Sequence, residues 1–213
     1  MIIKVCGLRE VDNIRRIEML DVDWLGFIFY PPSPRFITES SENVEGIGNC
    51  KKNTVGVFVN ESLEYMLEKG KTFQFDIIQL HGNETPDICA ELRQNGYLVI
   101  KAFSIESSKD FLQMDSYQKC CDYYLFDTKY SGYGGSGARF DWNLLEAYQA
   151  ETPFLLSGGL SPDCSDELKK LHHPQFAGID LNSGFELYPA MKDVNKIKNF
   201  IQPFRRTNTY NSV

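Results

Sequence analysis

Positive charge is in short supply. The chain has 22 lysines and arginines against 29 acidic residues, a net charge of -7 and a pI near 5.0. A general nucleic-acid binder presents a basic face, so that class is set aside. Long apolar runs are missing too: none approaches the roughly 18 residues that a bilayer-spanning helix needs. The opening MIIKVCGLRE has neither the extended apolar stretch nor the small-residue cleavage site of a signal peptide. The expectation is a cytoplasmic protein whose mature form starts at Met1, with no membrane and no nucleic-acid partner. Histidine is scarce, with three residues, His81, His172 and His173. The six cysteines form no C-x-x-C pair and match no zinc spacing, so reduced thiols are expected and no metal. The first glycine turn reads CGLRE rather than G-x-G-x-x-G, which counts against a dinucleotide-binding sheet.

What the chain does have is rhythm. Its 213 residues are 42% hydrophobic and 24% charged, enough for one sizeable core. Apolar runs recur at 2–6, 24–29, 54–59, 76–80, 98–103, 122–127, 153–158 and 176–181. They are short, rich in β-branched and aromatic residues, and nearly continuous. That pattern suits strands buried on both faces of a parallel sheet. Helical spacing fills several of the gaps. Val11, Ile14 and Ile17 share a stripe, as do Leu63, Met66 and Leu67, with Gly70 as a C-cap. Thr85–Pro86 and Ser161–Pro162 read as N-cap followed by proline in the first turn. KDVNKIKNFI reads as the last amphipathic helix. Strand then helix, eight times, predicts a (β/α)8 barrel forming a single domain over 1–213, with a polar tail at about 205–213. An open doubly wound sheet is the alternative.

In such a barrel, chemistry belongs to the C-terminal ends of the strands. The first run ends in Cys6, the fourth leads into QLHG with His81, the sixth ends in Asp127, and the eighth supplies Asp180. Arg35 follows the second run in the proline-stiffened YPPSPRF. A cysteine is often only a small core hydrophobe. At a strand end it is equally placed to face a cleft, where a lowered pKa makes it a base. Asp127 is harder to read as filler, because a carboxylate buried without a partner is costly. His81 reads either as a pocket group or as a polar residue fixing its loop. SGGL and LNSG follow the seventh and eighth runs, where glycines let backbone N–H groups approach an anion and where barrels often bind phosphate. The loop carrying Gly132, Gly134, Gly135 and Gly137 is long enough to act as a lid. Cys50, Cys89, Cys120, Cys121 and Cys164 fall in helices or loops and are expected to be inert.

KVCGL, GFIFYPPSPRF, VGVFVN, IQLHGNE, VIKAF, LFDTKYSGYGGSGARFDW, LLSGGLSPD and IDLNSGFE, in that order from about Ile3 to Phe200, resemble the phosphoribosylanthranilate isomerases of tryptophan biosynthesis. The resemblance implies a (β/α)8 barrel that needs no cofactor and no metal. It implies an Amadori rearrangement of a phosphosugar substrate, N-(5-phosphoribosyl)anthranilate. It carries the general base to Cys6 and the general acid to Asp127. It carries binding of the anthranilate carboxylate to Arg35, and phosphate binding to Gly158, Gly159, Ser183 and Gly184. His81 and Asp180 remain further pocket candidates, and the chain is expected to be a monomer or homodimer.

Two strings depart from the family pattern. GGSGAR stands where GGTGK is common, placing Arg139 one position beyond the usual lysine. DLNSG stands for DVSSG, placing Asn182 where a small hydroxyl residue is usual. Neither touches the expected acid or base. Other phosphosugar barrels are rivals. An indole-glycerol-phosphate synthase wants a lysine acid at a strand tip, whereas Lys4 and Lys101 sit within strands. An epimerase wants metal-binding histidines. A barrel that only binds a phosphate ligand is the rival outside catalysis.

Overall fold

A computed structural model describes residues 1–128 and 141–205. Eight parallel strands close into a barrel in chain order: β1 (Ile2–Val5), β2 (Trp24–Ile28), β3 (Asn53–Phe58), β4 (Ile77–Leu80), β5 (Leu98–Ile105), β6 (Tyr123–Thr128), β7 (Phe154–Leu156) and β8 (Phe176–Leu181). The last strand pairs with the first, Lys4 opposite Asp180. The near-continuous apolar runs follow from that closure. Alternate residues face the barrel axis or the helical layer, so both sets are removed from water. Trp24, Val55, Val57, Ile77, Ile100, Ala102, Leu125 and Leu155 fill the inside. Ile3, Val5, Leu25, Phe27, Ile78, Phe126 and Leu156 face outward into the larger cluster beneath the helices. Each such large side chain contributes roughly 1.5–3 kcal/mol on burial.

The outer layer is less regular than the rhythm predicts. α1 (Val11–Glu18), α2 (Ser41–Gly48), α3 (Leu63–Phe73), α4 (Pro86–Gln94), α5 (Ser165–Lys170) and α6 (Val194–Arg205) are α-helical. Among the described residues, the connections after β5 and β6 contain 3-10 turns instead, Ser108–Tyr117 and Trp142–Ala147. Ser40 and Ser62 cap α2 and α3 by accepting from the backbone N–H groups of Asn43 and Tyr65. Gly70 does not end α3, contrary to expectation. The helix runs on to Phe73, and Gln74 takes the left-handed cap at φ 56°. Gly70 serves another need: a Cβ there would stand 2.3 Å from the Tyr97 hydroxyl oxygen. Of the polar tail expected at about 205–213, only Arg205 falls within the described residues. Arg205 closes α6 and donates to the carbonyls of Asp21 and Met1 at 3.0 and 2.9 Å. A short hairpin, β9 (Glu186–Tyr188) with β10 (Met191–Lys192), follows β8 at the C-terminal end of the barrel.

Candidate active site

The inward parity of the strands decides what reaches the mouth. On β1 it selects Lys4 and then Cys6; on β4, Gln79 and then His81; on β6, Leu125 and then Asp127; on β8, Asp180. Cys6 continues β1 by one residue, its N–H donating to Leu181 at 2.9 Å. Its sulfur belongs to the inner apolar cluster and is buried. Gly26, across from it on β2, has no room for a side chain, since a Cβ there would lie 2.9 Å from the sulfur.

The same sulfur is not in a purely aliphatic setting. Burial pushes the Cys6 thiol up, and Asp180 pushes the same way, while the Lys4 and Lys192 ammonium groups oppose both. Lys4 is fully buried and holds Asp180 at 2.9 Å. Burial works against its charge, but Asp180 and Cys6 outweigh that and keep its pKa above the ordinary lysine value. Burial likewise raises the Asp180 carboxyl, whose surroundings also include Asp127 and His81. The strand of Asp180, β8, lies between β1 and β7 in the closed barrel.

Asp127, the last but one residue of β6, has its side chain about one-quarter exposed, so it meets solvent where Cys6 does not. Its Oδ1 accepts from the Thr128 N–H at 2.8 Å, and its Oδ2 lies 3.3 Å from His81 Nε2. His81 Nδ1 is in turn 3.2 Å from Gln79 Nε2. The histidine left open by the sequence is therefore set against the aspartate. Asn60, two residues past β3, serves the neighbouring turn. It takes a positive φ, accepts from the Asn83 N–H at 2.6 Å and donates its own N–H to Glu84 at 2.7 Å.

The two glycine loops touch each other, and the one after β7 touches the aspartate. Gly158 and Gly159 follow β7 with φ of 73° and 63°. A Cβ on Gly158 would lie 2.4 Å from Asp127 Oδ1, and one on Gly184 would lie 2.1 Å from the Leu160 carbonyl oxygen. Ser183 and Gly184 sit in a single 3-10 turn, Ser183–Phe185. The Gly158 backbone is thus drawn in close beside Asp127, and the Ser183–Gly184 turn packs against the Leu160 carbonyl. The glycines expected to form a lid lie outside the described residues, as does Arg139.

Arg35 is buried and committed to a partner the sequence reading missed. Its Nε and Nη2 donate to Glu186 at 2.8 and 2.6 Å. That hydrogen bonding, with the charge of Glu186, outweighs burial and raises the arginine's pKa. Lys192 completes the group at 2.7 Å from Glu186. The signal for these two was weak, because a glutamate and a lysine in a polar loop read as solvated surface until a hairpin turns them inward. The fold also gathers Cys89, Cys120 and Cys121, their sulfurs within 4.8 Å of one another. Cys89 is on α4 and the pair precedes β6, so this cluster lies away from the strand tips. Such soft thiol ligands are a set that a thiophilic metal ion would favour.

A family profile described as N-(5'phosphoribosyl)anthranilate (PRA) isomerase matches residues 3–203. The chain belongs to the PRA isomerase family. Its relatives include the N-(5'-phosphoribosyl)anthranilate isomerase of Parabacteroides distasonis, 50% identical over 95% of this chain and 92% of that protein. Among solved structures, the phosphoribosyl anthranilate isomerase of Thermotoga maritima is 33% identical and superimposes with a TM-score of 0.81, covering 94% of this chain and 97% of that one. A PRA isomerase in complex with reduced 1-(o-carboxyphenylamino)-1-deoxyribulose 5-phosphate is 31% identical, with a TM-score of 0.77 over 94% of this chain and 97% of that one. The (β/α)8 fold expected from the sequence is the fold of these PRA isomerases.

Proposed function

We propose that this member of the PRA isomerase family converts N-(5-phosphoribosyl)anthranilate to 1-(2-carboxyphenylamino)-1-deoxyribulose 5-phosphate in tryptophan biosynthesis. Cys6 is the base and Asp127 the acid. The observation that carries this reading is the position of Asp180. It pairs at 2.9 Å with Lys4, which precedes Cys6 on the inner face of β1, and the same inner face carries the Asp127–His81 pair.

The reaction needs one proton in and one proton out. Asp127, protonated, gives its proton to the furanose ring oxygen. The C1–oxygen bond breaks, the anilino nitrogen supplies its electron pair, and an iminium cation forms. Cys6, as thiolate, removes the proton from C2, and the C–H electron pair neutralises the iminium to give an enolamine. Tautomerisation yields the ketone. An acid and a base held at fixed positions each supply roughly 10²–10⁴-fold. Lys4 and Lys192 favour the thiolate against the cost of burial. His81 orients the Asp127 carboxyl.

Arg35 takes the anthranilate carboxylate, since a planar fork matches two oxygens. Gly158, Gly159, Ser183 and Gly184 take the phosphate on backbone N–H groups, which glycine leaves open to close approach. Holding both substrate ends orients the reacting carbon between acid and base. The six cysteines are all free thiols, which supports a cytoplasmic setting. A monomer or homodimer is the expected assembly, which sedimentation of the purified chain settles.

The test is complementation of a tryptophan auxotroph lacking this step, paired with loss of substrate fluorescence on adding purified protein. Growth and turnover are expected. Tight binding of the reduced product analogue without turnover points instead to a barrel that only binds its ligand.

A further inference from the structure

The hairpin after β8 is short, and it sends two charged side chains into the barrel mouth. Glu186, on β9, meets Arg35 at two points: Nε to Oε1 at 2.8 Å and Nη2 to Oε2 at 2.6 Å. Its Oε1 also accepts from Lys192 Nζ at 2.7 Å and from the Ala190 N–H at 3.1 Å. Lys192, on β10, gives a further bond to Asn182 Oδ1 at 2.7 Å. Asn13, on α1, pins the Lys192 backbone from both sides, at 2.8 and 2.9 Å. The arginine stem crosses Gly7, where a Cβ would stand 2.6 Å from Arg35 Cδ and 2.8 Å from Asn182 Oδ1. The side chains of Arg35, Glu186 and Lys192 are 11%, 5% and 0% exposed.

Resting on the reading that Arg35 takes the substrate carboxylate, we propose that Glu186 and Lys192 are positioning residues that set the specificity of Arg35 for a carboxylate-bearing aromatic ring. An arginine fork has two edges able to grip two oxygens: Nε with one Nη, and the two Nη groups together. Glu186 occupies the first edge and thereby turns the second to the ligand. Lys192 holds the Glu186 carboxylate from the other side, through Oε1, and so fixes the edge of the fork that Glu186 occupies. Holding the fork beforehand also spares the ligand the entropy of ordering a long side chain.

The experiment compares two ligands on three proteins. The ligands are reduced 1-(o-carboxyphenylamino)-1-deoxyribulose 5-phosphate and the same compound without its ring carboxyl. The proteins are the native chain, Arg35→Met and Glu186→Gln, each titrated by calorimetry. A charge-assisted contact contributes about 1.5–3 kcal/mol, so the native chain is expected to prefer the carboxylated ligand by roughly 10- to 150-fold. Glu186→Gln is expected to lose at least a tenfold share of that preference. It should bind the carboxyl-free ligand within about threefold of the native chain, a split that general loosening of the barrel would not give. If Glu186→Gln does not fold, Glu186→Asp is read the same way, since its shorter reach cannot hold both Arg35 contacts. A native preference that survives in the Glu186 variants overturns the inference and leaves the Arg35 reading standing. A native chain with no preference, or one that Arg35→Met retains, overturns the Arg35 reading and takes the inference with it.

Discussion

Gly158 lies against Asp127 so closely that a β-carbon on the glycine would stand 2.4 Å from the carboxylate. The same loop therefore serves two of the proposed roles, closing on the phosphate and walling in the acid. Gly158→Ala is expected to strain a backbone at φ 73° and to push the Asp127 carboxyl aside. The left-handed conformation alone costs roughly 1–2 kcal/mol for a residue with a β-carbon. kcat should fall by about 10²-fold, the scale of a 1 Å misplacement. Steady-state kinetics alongside a melting curve separates this from unfolding. Unchanged kcat would show that Asp127 tolerates displacement.

Cys6 and Asp127 carry the proposed chemistry, so their conservative replacements should remove rate and spare binding. Cys6→Ser and Asp127→Asn are each expected to lower kcat by roughly 10²–10⁴-fold. Affinity for the reduced product analogue should stay within a few-fold. Near-normal turnover in either variant rejects that residue's role.

Asp180 bears on pH dependence. Burial raises the Cys6 pKa and the Asp180 charge raises it further, whereas Lys4 and Lys192 lower it. The base acts as thiolate, so kcat/KM should climb with pH until the thiol is titrated. Asp180→Asn removes a negative charge and frees Lys4 to act on the sulfur alone. Both effects lower the thiol pKa, so the rising limb should move to lower pH. A profile of kcat/KM from about pH 6 to 10 reads the shift. A limb that stays in place, or moves to higher pH, argues against Cys6 as the titrating base.

Glu84 tests what holds the loop bearing His81. Its carboxylate accepts from the N–H groups of Asn60 and Gly82 and lies 3.4 Å from the Lys101 ammonium. Removing one partner of a buried pair costs about 3–5 kcal/mol. Glu84→Ala is therefore expected to lower Tm by roughly 6–20 °C for a chain of this size. Differential scanning calorimetry makes the measurement, and a change within 2 °C would mean the lysine finds full compensation in the carbonyls of Leu80, Gly82 and Ala102, to which it also donates.

The apolar rhythm is enough to read the barrel and the residues at its strand ends. Runs such as TVGVFV and FAGIDL are apolar on both faces, and only a strand covered on both sides suits them. Counting in twos along those runs brings Cys6, His81, Asp127 and Asp180 to the same end. It did not determine the ends of the outer layer, where Gly70 read as a cap and proved to be a point of close approach to Tyr97. Nor did it mark Glu186 and Lys192. A strand's parity is a local property, written within a few residues. The partnership of Arg35 with Glu186 spans 151 positions and exists only once closure of β8 on β1 carries the hairpin over Gly7. Whether a charged residue is solvated surface or part of a buried pair is set by what lies opposite it in space, and that only the tertiary structure decided.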